Sequence, residues 1–175
     1  MSTKVLVAYA TKWGATEEIA QRIGEVLGEG GLDIDVLPAG RVGALTPYDA
    51  VVLGSSVTIG RWRKEAARLL KDNQETLSGM DVWLFSSGPT GEGDPVELGG
   101  GWRFPRALQP IADAIGPRDT ALFHGALHLE DLNLIERWMI KNVKAPLGDF
   151  RDWDAIDQWA RGIAKELARE GEQVP

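Results

Sequence analysis

The sequence contains no cysteine. That excludes a disulfide framework, thiolate-ligated zinc, an iron–sulfur cluster and a thiol nucleophile. Any redox chemistry must therefore come from an organic cofactor or from a metal held without thiolate. Histidine is scarce, with two in 175 residues. His124 and His128 are four apart, but the first ends a strand pattern and Gly125 follows it. They need not share a face, and no third ligand accompanies them, so no metal site is expected. Long apolar runs are missing too: none approaches the roughly 18–20 residues of a membrane helix. Met1-Ser2-Thr3-Lys4 leads straight into a strand pattern with no charged leader or cleavage site. The expectation is a cytoplasmic protein without an integral membrane segment. Positive charge is in deficit, with 19 Lys+Arg against 26 Asp+Glu and a net charge of −7. Nucleic-acid binding needs a positive surface that displaces phosphate counterions, so it is not expected. An acidic surface suits basic protein partners instead.

What is present is a chain 43% hydrophobic and 26% charged. That suits one well-filled core rather than two domains or disorder. Residues 1–170 are expected to form a single domain, and 171–175 a frayed tail. Strand and helix patterns alternate. Lys4–Tyr9 is an apolar run with little alternation, as for a strand buried on both faces. Residues 15–28 carry Ile19, Ala20, Ile23, Val26 and Leu27 at helical spacing and stop near Gly30-Gly31. Asp33–Leu37, Ala50–Gly54, Asp81–Ser86 and Ala121–His124 read as further strands. Helices are expected at 65–73, 105–115, 130–143 and 153–169, with 87–103 a glycine-rich loop. Strands separated by helices imply an α/β doubly wound parallel sheet with helices on both faces. In such sheets ligands sit beyond the carboxyl ends of the strands.

Three loops lie at those ends. The first is Thr11-Lys12-Trp13-Gly14-Ala15-Thr16. Hydroxyls at both ends and a central glycine suit a turn whose N–H groups face an anion, aided by the next helix's dipole. Thr16 is placed to cap that helix, with Glu17 and Glu18 in its first turn. The plain alternative is a capped turn without a ligand. Lys12 either adds positive charge to an anion site or points to solvent. A P-loop would need Gly-Lys-Ser/Thr, and a dinucleotide fingerprint three spaced glycines; neither is present. The second loop, Gly54–Trp62, offers Ser55, Ser56 and Thr58 to a ring edge. Trp62 is either a stacking face or a packing residue. The third loop holds Ser87, Gly88, Pro89, Thr90, Gly91, Gly93 and Asp94. A phospho-receiver domain shares this topology, but it needs an acceptor Asp after the third strand and an acidic pair after the first. Gly54-Ser55 and Tyr9-Ala10 stand there.

Tyr9–Ala20 resembles the phosphate signature of flavodoxins: an aromatic, a hydroxyl residue two on, a small residue at Gly14, Thr16, and an alanine four later at Ala20. Ile23 extends the match; Ala8 departs from it, where flavodoxins carry a larger apolar residue. The resemblance implies a five-stranded sheet of order 2-1-3-4-5 and a bound flavin mononucleotide (FMN). Thr11, Lys12, Trp13, Gly14, Ala15 and Thr16 would hold its phosphate. Ser55, Ser56, Thr58 and Trp62 would line one side of the ring, and Ser87, Gly88, Pro89, Thr90, Gly91, Gly93 and Asp94 the other. Many flavodoxins place a tyrosine after that Asp; here stands Pro95, and Trp102 is the nearest aromatic downstream.

The C-terminal segments Gly125-Ala126-Leu127, Glu136–Lys141, Gly148–Trp153 and Trp159-Ala160 resemble a subgroup that includes bacterial protoporphyrinogen dehydrogenases. Those enzymes pass electrons from the porphyrinogen to a quinone. The implied partners are thus a redox protein or a small acceptor such as a quinone. Electron carriage leads, the dehydrogenase follows, and a scaffold that lost FMN is the reading of another class. Trp138, Trp153 and Trp159 are expected to pack, and Asp152 to cap the last helix. Residues 130–144 balance three Lys/Arg against three acids, so no basic amphipathic helix for a membrane surface is expected.

Overall fold

The computed structural model describes residues 2–173. Its first strand, β1 (Lys4–Ala10), is buried from Val5 onward, which explains why its sequence does not alternate. A turn leads to α1 (Ala15–Glu29), whose Ile19, Ala20, Ile23, Val26 and Leu27 face the sheet. Next come β2 (Asp33–Pro38), β3 (Ala50–Thr58) and the short β4 (Arg61–Trp62). The helices α2 (Lys64–Asp72) and α3 (Gln74–Ser78) precede β5 (Asp81–Ser87). Then follow α4 (Pro95–Leu98), α5 (Gln109–Ile115) and β6 (Asp119–Phe123). The chain closes with β7 (Ala126–Leu127), α6 (Leu134–Val143), β8 (Gly148–Asp149) and α7 (Trp153–Gln173).

The parallel sheet runs β2-β1-β3-β5-β6, the expected 2-1-3-4-5 order once β4 is set aside. One face packs on α1 and α7 around Val7, Trp83, Phe85, Ile156 and Ile163. The other packs on α2, α3 and α5 around Leu6, Leu53, Leu70, Leu84 and Ile115. The helices flank a sheet that has no solvent-facing side at its centre.

Four departures from the sequence pattern have physical causes. β3 extends four residues past Gly54, because Val57 and Thr58 pair with Trp62 and Arg61 of β4. Ile59 (φ 52°) and Gly60 (φ 66°) make the two-residue turn, both left-handed as a tight hairpin requires. The glycine-rich loop contains α4, because Asp94 accepts hydrogen bonds from the N–H groups of Val96 and Glu97 and Pro95 opens the helix. Residues 106–108 form a 3-10 turn before α5 starts at Gln109-Pro110. The last helix continues to Gln173, past the expected fray point; Val174 and Pro175 lie outside the described residues. Asp152 does cap it, accepting from the N–H of Ala155 at 3.0 Å.

At the start of the sheet, the Tyr48 hydroxyl donates to Asp35 Oδ2 at 2.8 Å, and Lys4 Nζ lies 3.2 Å from the same oxygen. Burial, then the Asp35 hydrogen bond, pushes the Tyr48 phenol up from 10.0 to about 12. A pKa raised on folding stabilises fully below the unfolded value and is lost as pH rises through the folded one. Stability should therefore fall between about pH 10 and 12, and Tyr48→Phe should flatten that fall. Urea unfolding at a series of alkaline pH values reads it. Parallel losses in both proteins would show that the phenol is not responsible.

Candidate functional site

The carboxyl ends of β1, β3 and β5 enclose a cleft of about 270 Å³. Thr11, Trp13, Ala15 and Thr16 form one end of it, Ser56 and Thr58 one wall, and Ser87, Gly88 and Thr90 the other. The three loops singled out in the sequence thus meet, as the sheet topology requires.

Local geometry makes the first end ready for an anion. Gly14 at φ 92° turns the chain into α1, and its N–H donates to Thr11 Oγ1 at 2.9 Å. No side chain caps the helix. The helix therefore begins at Ala15, and Thr16 is its second residue, buried against the cleft rather than a cap. The first helical hydrogen bond is from the N–H of Glu18 to Gly14 O. The N–H groups of Ala15, Thr16 and Glu17 precede it and have no intrahelical acceptor.

The first-turn acids are engaged elsewhere. Glu17 accepts from the Tyr9 hydroxyl at 2.9 Å, and burial together with Glu17 raises the Tyr9 pKa. Glu18 pairs with Arg151, whose guanidinium also holds Asp149 and donates to Ala15 O at 3.2 Å. Arg151 in turn holds the Asp149 carboxyl below its ordinary range. A C-terminal arginine thus braces the first loop from outside and offsets the charge beside it.

Lys12 points neither to solvent nor into the cleft. Its Nζ pairs with Glu136 of α6 and lies 4.5 Å from the Trp13 ring centroid. Glu136 also completes the helix cap, receiving the Asn133 N–H at 3.1 Å while Asn133 Oδ1 accepts the Glu136 N–H at 2.8 Å. Lys12, and then the Asn133 contact, hold the Glu136 carboxyl below its ordinary range. Residues 128–147 leave the domain as an arm whose ends are joined by the antiparallel pair β7–β8. The Lys12–Glu136 contact fastens that arm to the first loop.

Several expected residues sit near the cleft without lining it. Trp62 is buried: its Nε1 donates to Ser86 Oγ at 2.8 Å, and its ring meets Phe104 edge-on at 5.0 Å. An edge-on aromatic pair adds about 0.5–1.5 kcal/mol beyond area burial. These contacts keep the ring in the core, which corrects its assignment as a stacking face. Ser55 Oγ accepts the Arg63 N–H at 2.9 Å and donates to Ser56 O at 2.8 Å, a structural clasp for the hairpin. Gly14 lines a polar recess on the other side of the loop, with His128, Asp131 and Arg151. Pro89 and Gly93 present their carbonyls to the two His124 ring nitrogens at 3.0 and 2.6 Å, so His124 clasps the third loop. Gly91 contributes its φ of 123° to the same loop, and Asp94 caps α4. Trp102 borders a separate recess with Gly60 and Pro89.

The apolar part of the cleft comes from residues to which the sequence reading assigned no ligand contact. Val57 and Ile59 of the hairpin, Gly125, Ala126 and Leu127, and Met139, Ile140, Val143 and Ala145 of the arm all line it. In the sequence, Gly125-Ala126-Leu127 and Glu136–Lys141 stood out through their resemblance to the dehydrogenase subgroup, which gave them no place beside a ligand. One polar atom stands out: Ser56 Oγ is buried without a hydrogen-bond partner. Leaving such a hydroxyl unsatisfied costs about 1–3 kcal/mol. Among the described residues no group of three or more His, Asp or Glu could hold a metal ion.

An open parallel sheet with a cleft at its carboxyl edge, entered by an uncapped helix, defines a doubly wound α/β domain. The chain belongs to the flavodoxin domain family, whose sequence profile matches residues 6–154. It is 25% identical over 182 residues to the protoporphyrinogen IX dehydrogenase [quinone] of Escherichia coli K12, covering 92% of this chain and 94% of that protein. Among solved structures it is similar to an archaeal flavodoxin (TM-score 0.61, 15% identity, 95% and 99% of the two chains). It is also similar to oxidised flavodoxin 2 of Bacillus cereus (TM-score 0.58, 22% identity, 96% and 99% of the two chains). These structural likenesses concern the fold.

Proposed function

We propose that this chain is a redox protein that binds FMN in the cleft. The observation that carries the reading is the uncapped start of α1 opening into an apolar cleft. A phosphate monoester there would receive the N–H groups of Ala15, Thr16 and Glu17, with the helix dipole aligned behind them. Thr11 and Thr16 add hydroxyls, and Arg151 keeps Glu18 from repelling the anion. Ser56 and Thr58 would face the ring from one wall. Ser87, Gly88 and Thr90 would follow one side of the ring, while Val57 and the arm residues Met139 and Val143 would exclude water. The flavin supplies one- or two-electron transfer when bound, and these residues supply its anchoring and surroundings.

A second reading is supported by the arm and by the dehydrogenase match: an oxidoreductase that takes a porphyrinogen as donor and a quinone as acceptor. The apolar wall of Met139, Ile140 and Val143 suits a flat apolar partner better than bulk water.

Titration of the purified chain with FMN and with riboflavin, followed by flavin fluorescence, tests the shared premise. The expected result is saturable 1:1 binding of FMN at or below about 1 µM and at least about 100-fold weaker binding of riboflavin, given the worth of charge-assisted phosphate contacts. Equal affinities would remove the phosphate site. No binding on the order of tens of micromolar would favour a scaffold that keeps the fold without the cofactor.

A further inference from the structure

Helix α6 has no buried residue, although six of its ten residues are apolar. Its sides differ. At about 100° per residue, Glu136, Met139, Ile140 and Val143 share the sector turned toward the cleft and Lys12, consistent with their contacts. Leu134, Ile135 and Trp138 fall on the opposite sector and are 82%, 71% and 67% exposed. Trp138 is therefore not the packing residue its helical position suggested. Trp159 is, held edge-on by Phe85 and Phe123. Trp153 sits between these extremes, under the Arg151 guanidinium at 4.7 Å.

At the same spacing Arg137 and Lys141 fall on one flank of the outward apolar sector, and Lys144 follows as the left-handed residue that ends the helix. None of them forms an ion pair among the described residues. Arg137 instead donates through Nε to the carbonyls of Leu129 and Leu132. The charge balance along 130–144 is thus not the balance this face presents. Glu136 is consumed by Lys12 behind the helix, and Glu130 and Asp131 lie in the short turn before it. The exposed helix combines an apolar sector that includes a tryptophan with a flank carrying Arg137 and Lys141, on a chain whose net charge is −7.

We infer that this face of α6 seats on an anionic lipid bilayer. Leu134, Ile135 and Trp138 enter the headgroup–acyl boundary, and Arg137, Lys141 and Lys144 lie at the level of the lipid phosphates. An apolar sector bordered by cations on a helix projecting from the domain is the pattern of an interfacial helix, and tryptophan favours that depth. A second copy fits less well: a two-fold contact through one patch sets the same cations against each other. The surface does not depend on flavin binding, because none of its residues lines the cleft. It would place the arm between the cleft and the bilayer, and so bring the cleft near a phase in which an apolar acceptor dissolves.

Co-sedimentation of the whole chain with phosphatidylcholine vesicles, with and without phosphatidylglycerol, tests the inference, each with and without FMN. Binding is expected on the mixed vesicles, weak on neutral ones and falling with added salt. The pair Ile135→Asp with Trp138→Asp should lower the partition coefficient at least about tenfold on removing two inserted side chains. Lys141→Glu with Lys144→Glu should abolish the preference for anionic vesicles. Because these positions are exposed, circular dichroism and melting temperature should be unchanged, separating loss of docking from loss of fold. Three results would overturn the inference: wild-type chain left in the supernatant, undiminished binding by the Asp pair, or a dimer in sedimentation equilibrium that the same pair dissolves. A failed flavin titration alongside normal vesicle binding would strike only the cofactor reading.

Discussion

Ala15→Asp should abolish FMN binding while leaving the fold as stable as before, and the contrast between those two effects is what makes the substitution informative. Ala15 is the first residue of α1 and lines the cleft. Its N–H is one of those with no intrahelical acceptor. A carboxylate at this position interacts favourably with the helix dipole, by about 0.3–1 kcal/mol, so folding should not suffer. Toward a phosphate seated on the same N–H groups the same carboxylate is repulsive. Two like charges about 4 Å apart at an effective dielectric near 20 repel by about 4 kcal/mol, and a phosphate monoester carries nearly two charges. The affinity for FMN should drop by at least about a hundredfold, since 1.4 kcal/mol is about tenfold. Riboflavin, which lacks the phosphate, should bind the variant as it binds the parent. Flavin fluorescence titrations and a urea unfolding curve on the same preparation give both numbers. Equal loss for the two flavins would mean that the substitution disturbs the ring site; no loss for either would mean that the phosphate sits elsewhere.

The parts of this molecule that were legible in the sequence are those governed by short-range rules. Val5 to Tyr9, Val51 to Leu53 and Val82 to Phe85 announce buried strands by unbroken apolar character, because both sheet faces are covered. Ile19, Ala20, Ile23, Val26 and Leu27 announce the covering helix by their spacing. Thr11 and Gly14 announce the tight turn between β1 and α1. What stayed hidden depends on long-range pairing. Lys12 and Glu136 are 124 residues apart, and nothing local relates them. Their contact decides where Lys12 points, which the sequence left open, and takes Glu136 out of the charge balance that the sequence showed along 130–144. Trp62 and Trp138 illustrate the same limit in opposite directions. Each follows an arginine in the sequence, yet one is sealed against Phe104 and the other projects from the arm. The hairpin after Gly54 was read as loop because Ser55, Ser56 and Thr58 are polar. Pairing with a partner only two residues long turned it into strand.

Gly54→Ala should be among the most destabilising single-methyl additions possible in this chain. Gly54 lies in β3 between Tyr9 of β1 and Phe85 of β5 in register. A Cβ there would stand 2.0 Å from Phe85 Cζ and 2.1 Å from Cε1, far inside van der Waals contact. The ring cannot swing away, because it is fully buried with Phe123 and Trp159 each 6.0 Å from it, centroid to centroid. Overpacking typically costs 1–3 kcal/mol and occasionally more. With a rigid ring and a central strand on either side, a loss of about 3 kcal/mol is expected, equivalent to roughly 6–12 °C in Tm for a domain of this size. The strand leads directly into Ser56, Val57 and Thr58 of the cleft, so weaker flavin binding should accompany the lost stability. Phe85→Leu in the same chain supplies the discriminating measurement. Alone it leaves a cavity and destabilises; combined with Gly54→Ala it removes the clash, so the double variant should be more stable than the sum of the two losses predicts by at least about 1 kcal/mol. Additive losses would mean that the alanine acts through the backbone of β3, and the glycine would then owe its place to strand geometry rather than to the ring above it.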